Sequence, residues 1–166
     1  MANVCEFGMR VIGKKLNVKT LIDWFNNEYD DDYHMFGILN PPDKDEFKAV
    51  TKDYGLEDII TYDTEGACKW SVAISLRDNN KSYYKTSNDK FKTNIELAAK
   101  ELDLKIEIVS VEISSNMTEH LILNRGRIVK DETSELFTEE ELELDPEDFR
   151  EVEELIYENI FEYRLY

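Results

Sequence analysis

The chain opens with apolar positions at Cys5, Phe7, Met9 and Val11, separated by Glu6, Gly8 and Arg10. A period of two predicts a strand buried on one face, ending near Gly13. Beyond Lys14 and Lys15 the period lengthens: Asn17 is placed to cap a helix, and Val18, Leu21, Ile22 and Phe25 recur at helical spacing through about Asn27. From Glu28 to Thr64 the pattern is weaker. It predicts a short strand over 35–39, a turn at Asn40-Pro41-Pro42-Asp43, a short helix over 45–54 and a short strand over 59–62. Strong alternation returns at Cys68, Trp70, Val72, Ile74 and Leu76 and predicts the central strand.

The polar stretch 77–92 reads as a long connection, with Arg77, Lys81, Lys85, Lys90 and Lys92 around Tyr83 and Tyr84. Thr93 and Glu96 then have the Thr-x-x-Glu spacing of a capping box, and Ile95, Ala98, Ala99 and Leu102 form the apolar stripe of the helix it starts. Leu104, Ile106 and Ile108 change phase to Val109, Val111 and Ile113, which predicts a strand with a bulge. Residues 121–123 and 127–129 flank Asn124-Arg125-Gly126 as a hairpin, with glycine where positive φ is wanted. In the tail, Asp145-Pro146 is a cap followed by proline at the first helical position. Phe149, Val152, Ile156, Ile160 and Tyr163 follow as an apolar stripe, so this helix should dock on something, and 138–144 should add a short preceding helical turn. The order β-α-(irregular)-β-α-β-β suits an α+β fold, an antiparallel sheet with helices on one face.

Charge divides the chain where the periodicity does not. Of its 166 residues 37 are acidic and 20 basic, for a net charge of −17. Residues 1–130 hold 22 acids and 18 bases, a net of −4, whereas 131–166 hold 15 acids and two bases, a net of −13. The division expected is a body over 1–130 and an acidic helical extension over 131–166 docked on it. Such a field favours cationic partners, and direct nucleic-acid binding is not expected because counterion release opposes it. No run of 18 apolar residues spans a membrane, and no basic region followed by an apolar one marks a secretory signal. A cytoplasmic location is expected. Cys5 and Cys68, 63 positions apart in apolar segments, read as reduced, packed thiols.

Candidate chemistry is sparse. Asp30, Asp31, Asp32 and His34 are the one cluster of metal-competent groups, but no ordering glycine or second ligand set accompanies them, so neither a metal nor any other cofactor is expected. His120 sits beside Glu119 with no nucleophile placed by a motif, and no phosphate-binding glycine loop is present, so no catalytic residue is assigned. The pattern that stands out is Glu147, Glu151, Glu154, Glu158 and Glu162, stepping by 4, 3, 4 and 4 along one helix face. These carboxylates would form a stripe about 22 Å long at 1.5 Å per residue. Without interleaved lysine they repel one another, and a cationic partner would relieve them.

Three segments resemble the YubB-type ferredoxin-like domain family of plasmids and bacteriophages. They are Ala2-Asn3-Val4-Cys5 leading into Val11-Ile12-Gly13, Gly66-Ala67-Cys68-Lys69-Trp70, and the hairpin around Gly126 after a helix-strand pair. The resemblance covers about residues 1–130. The family usually has tryptophan where this chain has Val4, and Gly-Thr-Lys-Trp-Asp where it reads Ala67-Cys68-Lys69-Trp70-Ser71. It implies a ferredoxin-like body and a mobile-element origin, with no family chemistry to carry over. The reading is a non-enzymatic binding protein of a phage or plasmid. As an acidic mimic, it would occlude the basic nucleic-acid-binding surface of a host defence protein of the CRISPR type, as an anti-CRISPR inhibitor does, through Glu147, Glu151, Glu154, Glu158 and Glu162. The alternative is a structural or housekeeping module of a mobile element whose acidity serves solubility.

Overall fold

The alternation that opens the chain forms strand β1 (Val4–Lys14), which leads without a loop into helix α1 (Lys15–Asn26). The computed structural model describes residues 3–26, 35, 37–77 and 94–158. Further strands are β2 (Ile38–Asn40), β3 (Ile59–Lys69), β4 (Lys105–Glu112), β5 (Met117–Asn124) and β6 (Arg127–Glu135). Further helices are α2 (Lys44–Val50), α3 (Val72–Ser75), α4 (Ile95–Glu101), α5 (Glu139–Leu142) and α6 (Pro146–Glu158). The strands form one antiparallel sheet in the order β2-β3-β1-β4-β5-β6. The expected division at residue 130 falls inside β6.

The first face of this sheet carries the main core. Cys5, Phe7, Met9 and Val11 of β1 lie beside Ile106 and Ile108 of β4 and Leu121 and Leu123 of β5, beneath Val18, Leu21, Ile22 and Phe25 of α1 and Ile95, Ala98 and Ala99 of α4. β4 is buried on both sides: Val109 and Val111, of opposite parity, are fully covered as well. The phase change in this segment is therefore not the expected bulge. β4 keeps unbroken register with β1 and β5, and its apolar residues serve two faces.

Asn17 is not the cap of α1. The first turn already has acceptors, because the N–H groups of Lys15 and Leu16 donate to the carbonyls of Asp58 and Leu56 at 2.9 Å, and Asn17 Nδ2 instead donates to the Leu102 carbonyl at 2.8 Å. The central strand expected over 68–76 also gives way. The sheet strand lies earlier, at β3, and the chain leaves it at Trp70, whose φ is 57°. Ser71 then caps α3, its Oγ accepting from the Ile74 N–H at 3.2 Å. Val72 and Leu76 are buried as positions i and i+4 of a helical turn, a spacing that also fits alternation.

Gly66 makes the β1–β3 contact possible. A Cβ there would lie 2.6 Å from the Phe7 ring and 2.9 Å from the Asn40 carbonyl oxygen. The cap of α4 is Asn94, which accepts from the Leu97 N–H at 2.8 Å; Thr93 lies outside the described residues. The expected capping box, which needs Thr93, therefore falls outside the described residues too; Glu96 accepts from Arg77 Nε at 2.7 Å. The hairpin forms as expected, with Arg125 at φ 52° and Gly126 at φ 79° between β5 and β6.

Candidate interaction surface

The C-terminal arm is fastened where it leaves β6. Asn116, at φ 48°, clasps the backbone of Phe137: its Oδ1 accepts the Phe137 N–H at 2.7 Å, and its Nδ2 donates to the Phe137 carbonyl at 3.1 Å. This turns the Phe137 ring inward, where it is buried with Val111 and Ile156 and packed by Ile113, Leu136 and Val152. Val111 stands opposite Glu6 in the register, on the face away from Phe7, so the arm packs on the second face of the sheet around Val111. α5 and α6 are started by their own side chains. Thr138 and Glu141 form a capping box, and their hydrogen bonds, first from the Thr138 N–H and then from its hydroxyl, hold the Glu141 carboxyl below its usual value. Asp145 Oδ1 accepts from the N–H groups of Glu147 and Asp148 at 2.9 and 3.2 Å.

On this support Glu147, Glu151 and Glu154 are exposed. Glu158 is the last residue of α6, and Glu162 lies outside the described residues, as do Ile160 and Tyr163. Glu147, Glu151 and Glu154 form no ion pair among the described residues. Their neighbours Glu139, Glu140, Glu143 and Asp148 are exposed too, so this acidic surface is broader than the helical stripe.

The same second face holds polar pairs that spacing did not bring together. Arg10 reaches both carboxylate oxygens of Asp63 at 2.7 Å, and His120 Nε2 lies 2.9 Å from Glu107 Oε1. Glu6 sits nearby, its carboxyl pushed up first by burial and then by Glu65. Ser110, Cys5 and Cys68 have the parity of the first face and so stand on the other side of the sheet from the His120–Glu107 pair. Asp30, Asp31, Asp32 and His34 lie outside the described residues, as do Tyr83 and Tyr84. Among the described residues no group of three or more His, Cys, Asp or Glu side chains is placed to hold a metal ion, and no helix is long and apolar enough to cross a membrane.

One functional-looking residue missed by sequence reasoning is Glu119. It is buried on the core face and accepts from the N–H groups of Val72 and Ala73 at 2.7 and 3.1 Å and from Ser110 Oγ at 2.9 Å. It ties α3 to the sheet. Its parity with Leu121 and Leu123 was the available signal. A scan against protein-family models matches none, and comparisons with curated proteins and with solved structures return no match.

Proposed function

We propose that this chain is a non-enzymatic binding protein of a phage or plasmid, whose acidic arm occludes a basic nucleic-acid-binding surface of a host defence protein. The observation that carries this reading is the seating of α6. Val152 and Ile156 pack toward Val111 and Phe137, while Glu147, Glu151 and Glu154 stay in solvent. A line of carboxylates on a docked helix offers a cationic groove an array of fixed negative charge, as a phosphate strand does.

A ferredoxin-like body is supported by the order β2-β3-β1-β4 with α1 after β1 and α4 before β4, the arrangement of a split β-α-β repeat to which β5 and β6 add an edge. The resemblance over 1–130 supports the mobile-element origin. A cytoplasmic location follows from the proposed target.

The test is capture from bacterial lysate at low and high salt, with and without added double-stranded DNA or RNA. The expected catch is a nucleic-acid-binding protein retained at low salt, released at high salt and displaced by nucleic acid. Replacing Glu147, Glu151, Glu154, Glu158 and Glu162 by glutamine should abolish it while the fold survives, since exposed helix charges contribute only about 0.2–0.5 kcal/mol per pair. Capture indifferent to the substitutions would leave the acidity a solubility device.

A further inference from the structure

We propose that Cys5 and Cys68 form a reversible dithiol–disulfide couple, a modification site laid across β1 and β3. The two residues are direct partners in the antiparallel register, so their side chains share a face, and both are fully buried free thiols.

Two backbone hydrogen bonds fix the type of pair they form. The Trp70 N–H donates to the Asn3 carbonyl across β1–β3, whereas the Lys69 N–H donates away from β1 to the Gly37 carbonyl, each at 2.8 Å. Hydrogen-bonded and non-hydrogen-bonded pairs alternate along such a ladder, so Cys5 and Cys68, two positions further on, are again a hydrogen-bonded pair with Cα atoms about 5.5 Å apart. A disulfide spans roughly 4.4–6.8 Å between Cα atoms, so the backbone need not move to admit one. The sulfurs also make long bonds to backbone, Cys5 donating to the Glu6 carbonyl and Cys68 to the Trp70 carbonyl, each at 3.9 Å.

The environment favours a slow, reversible response. The adjoining Cys68 thiol first, and burial second, push the Cys5 thiol far above its usual value, which protects the reduced pair from casual reaction. Val4, the next residue, is half exposed, so opening of the N-terminal end of β1 is the short route by which a small oxidant enters. With a hydroperoxide as oxidant, one sulfur attacks the O–O bond as thiolate, giving a sulfenic acid and releasing water from hydrogen peroxide. The second sulfur then attacks the first, the S–S bond forms and a second water leaves. Two electrons pass from the thiols to the peroxide, and a dithiol reductant reverses the change.

The reduced wild-type protein is treated in its folded state with stoichiometric hydrogen peroxide, quenched, unfolded and alkylated with N-ethylmaleimide. The expected product is a monomer lighter by two hydrogens with neither cysteine alkylated, and dithiothreitol restores both sites. Cys5→Ser and Cys68→Ser should each abolish that species. Two cysteines that stay alkylatable after peroxide, or oxidation that yields only S-oxygenated monomers or covalent dimers, would overturn the proposal. The wild-type measurement stands whether or not either variant folds.

Discussion

A buried carboxylate is costly unless its lone pairs are met, and Glu119 meets them with two backbone N–H groups and a serine hydroxyl. Glu119→Ala leaves those donors facing an apolar core and should destabilise the protein by about 3 kcal/mol or more, given roughly 1–3 kcal/mol for each donor stranded. Glu119→Gln keeps the shape but turns an NH2 group toward a donor, and should cost about 1–3 kcal/mol. Urea unfolding of both variants checks this; equal stability of Glu119→Ala and wild type would show that α3 is held by packing alone. Residue by residue, the sequence was most legible where polarity and burial agree, as at Phe7, Met9, Ile106 and Ile108. It misled where a polar residue is buried with partners distant along the chain. Glu119 lies 47 positions from Val72, and Arg77, almost wholly buried between Glu96 and Asp131, looked like one cation among several in a solvated connection.

Among the elements, those with their own start signals were found close to where they lie: the hairpin at Arg125-Gly126, α5 with its capping box and α6 behind Asp145-Pro146. Elements whose ends are met by tertiary contacts were shifted or misread. α1 begins early because loop carbonyls replace a cap, and α3 stands where alternation suggested strand because the spacing of Val72 and Leu76 fits both periods. Of the acidic surface, sequence spacing showed the helical stripe but not what seats it. That work falls to Phe137, in a small apolar cluster separate from the main core. Phe137→Ala should therefore cost about 3–5 kcal/mol locally, the usual range for deleting a buried aromatic, and loosen α5 and α6 before the sheet. Hydrogen exchange would show this as lost protection over α6 with β1 and β4 unchanged. Loss spread evenly over the sheet would mean that the arm and the body unfold as one unit.

Across the whole molecule, the distribution of charge sets how stability depends on salt. The net charge of −17 resides mainly beyond residue 130, and within α6 the neighbours Glu147–Glu151 and Glu151–Glu154 repel at helical spacings. Two such pairs at about 0.2–0.5 kcal/mol each amount to at most about 1 kcal/mol, lessened by Arg150, which stands between Glu147 and Glu154 on an adjoining row. Opposing this are surface ion pairs such as Arg10–Asp63 and Lys14–Glu57, which salt weakens but which contribute little when exposed. Repulsion among many like charges outweighs a few exposed attractions, so adding salt up to physiological strength should raise the melting temperature. Screening then acts beyond about 8 Å, and a change near 1 kcal/mol corresponds to roughly 2–4 °C for a chain of this size. The protein with glutamine at 147, 151, 154, 158 and 162 should melt higher at low salt and gain less from added salt. A wild-type melting temperature that falls with salt would mean that the acidic surface is compensated within the fold and holds no free energy for a cationic partner to recover.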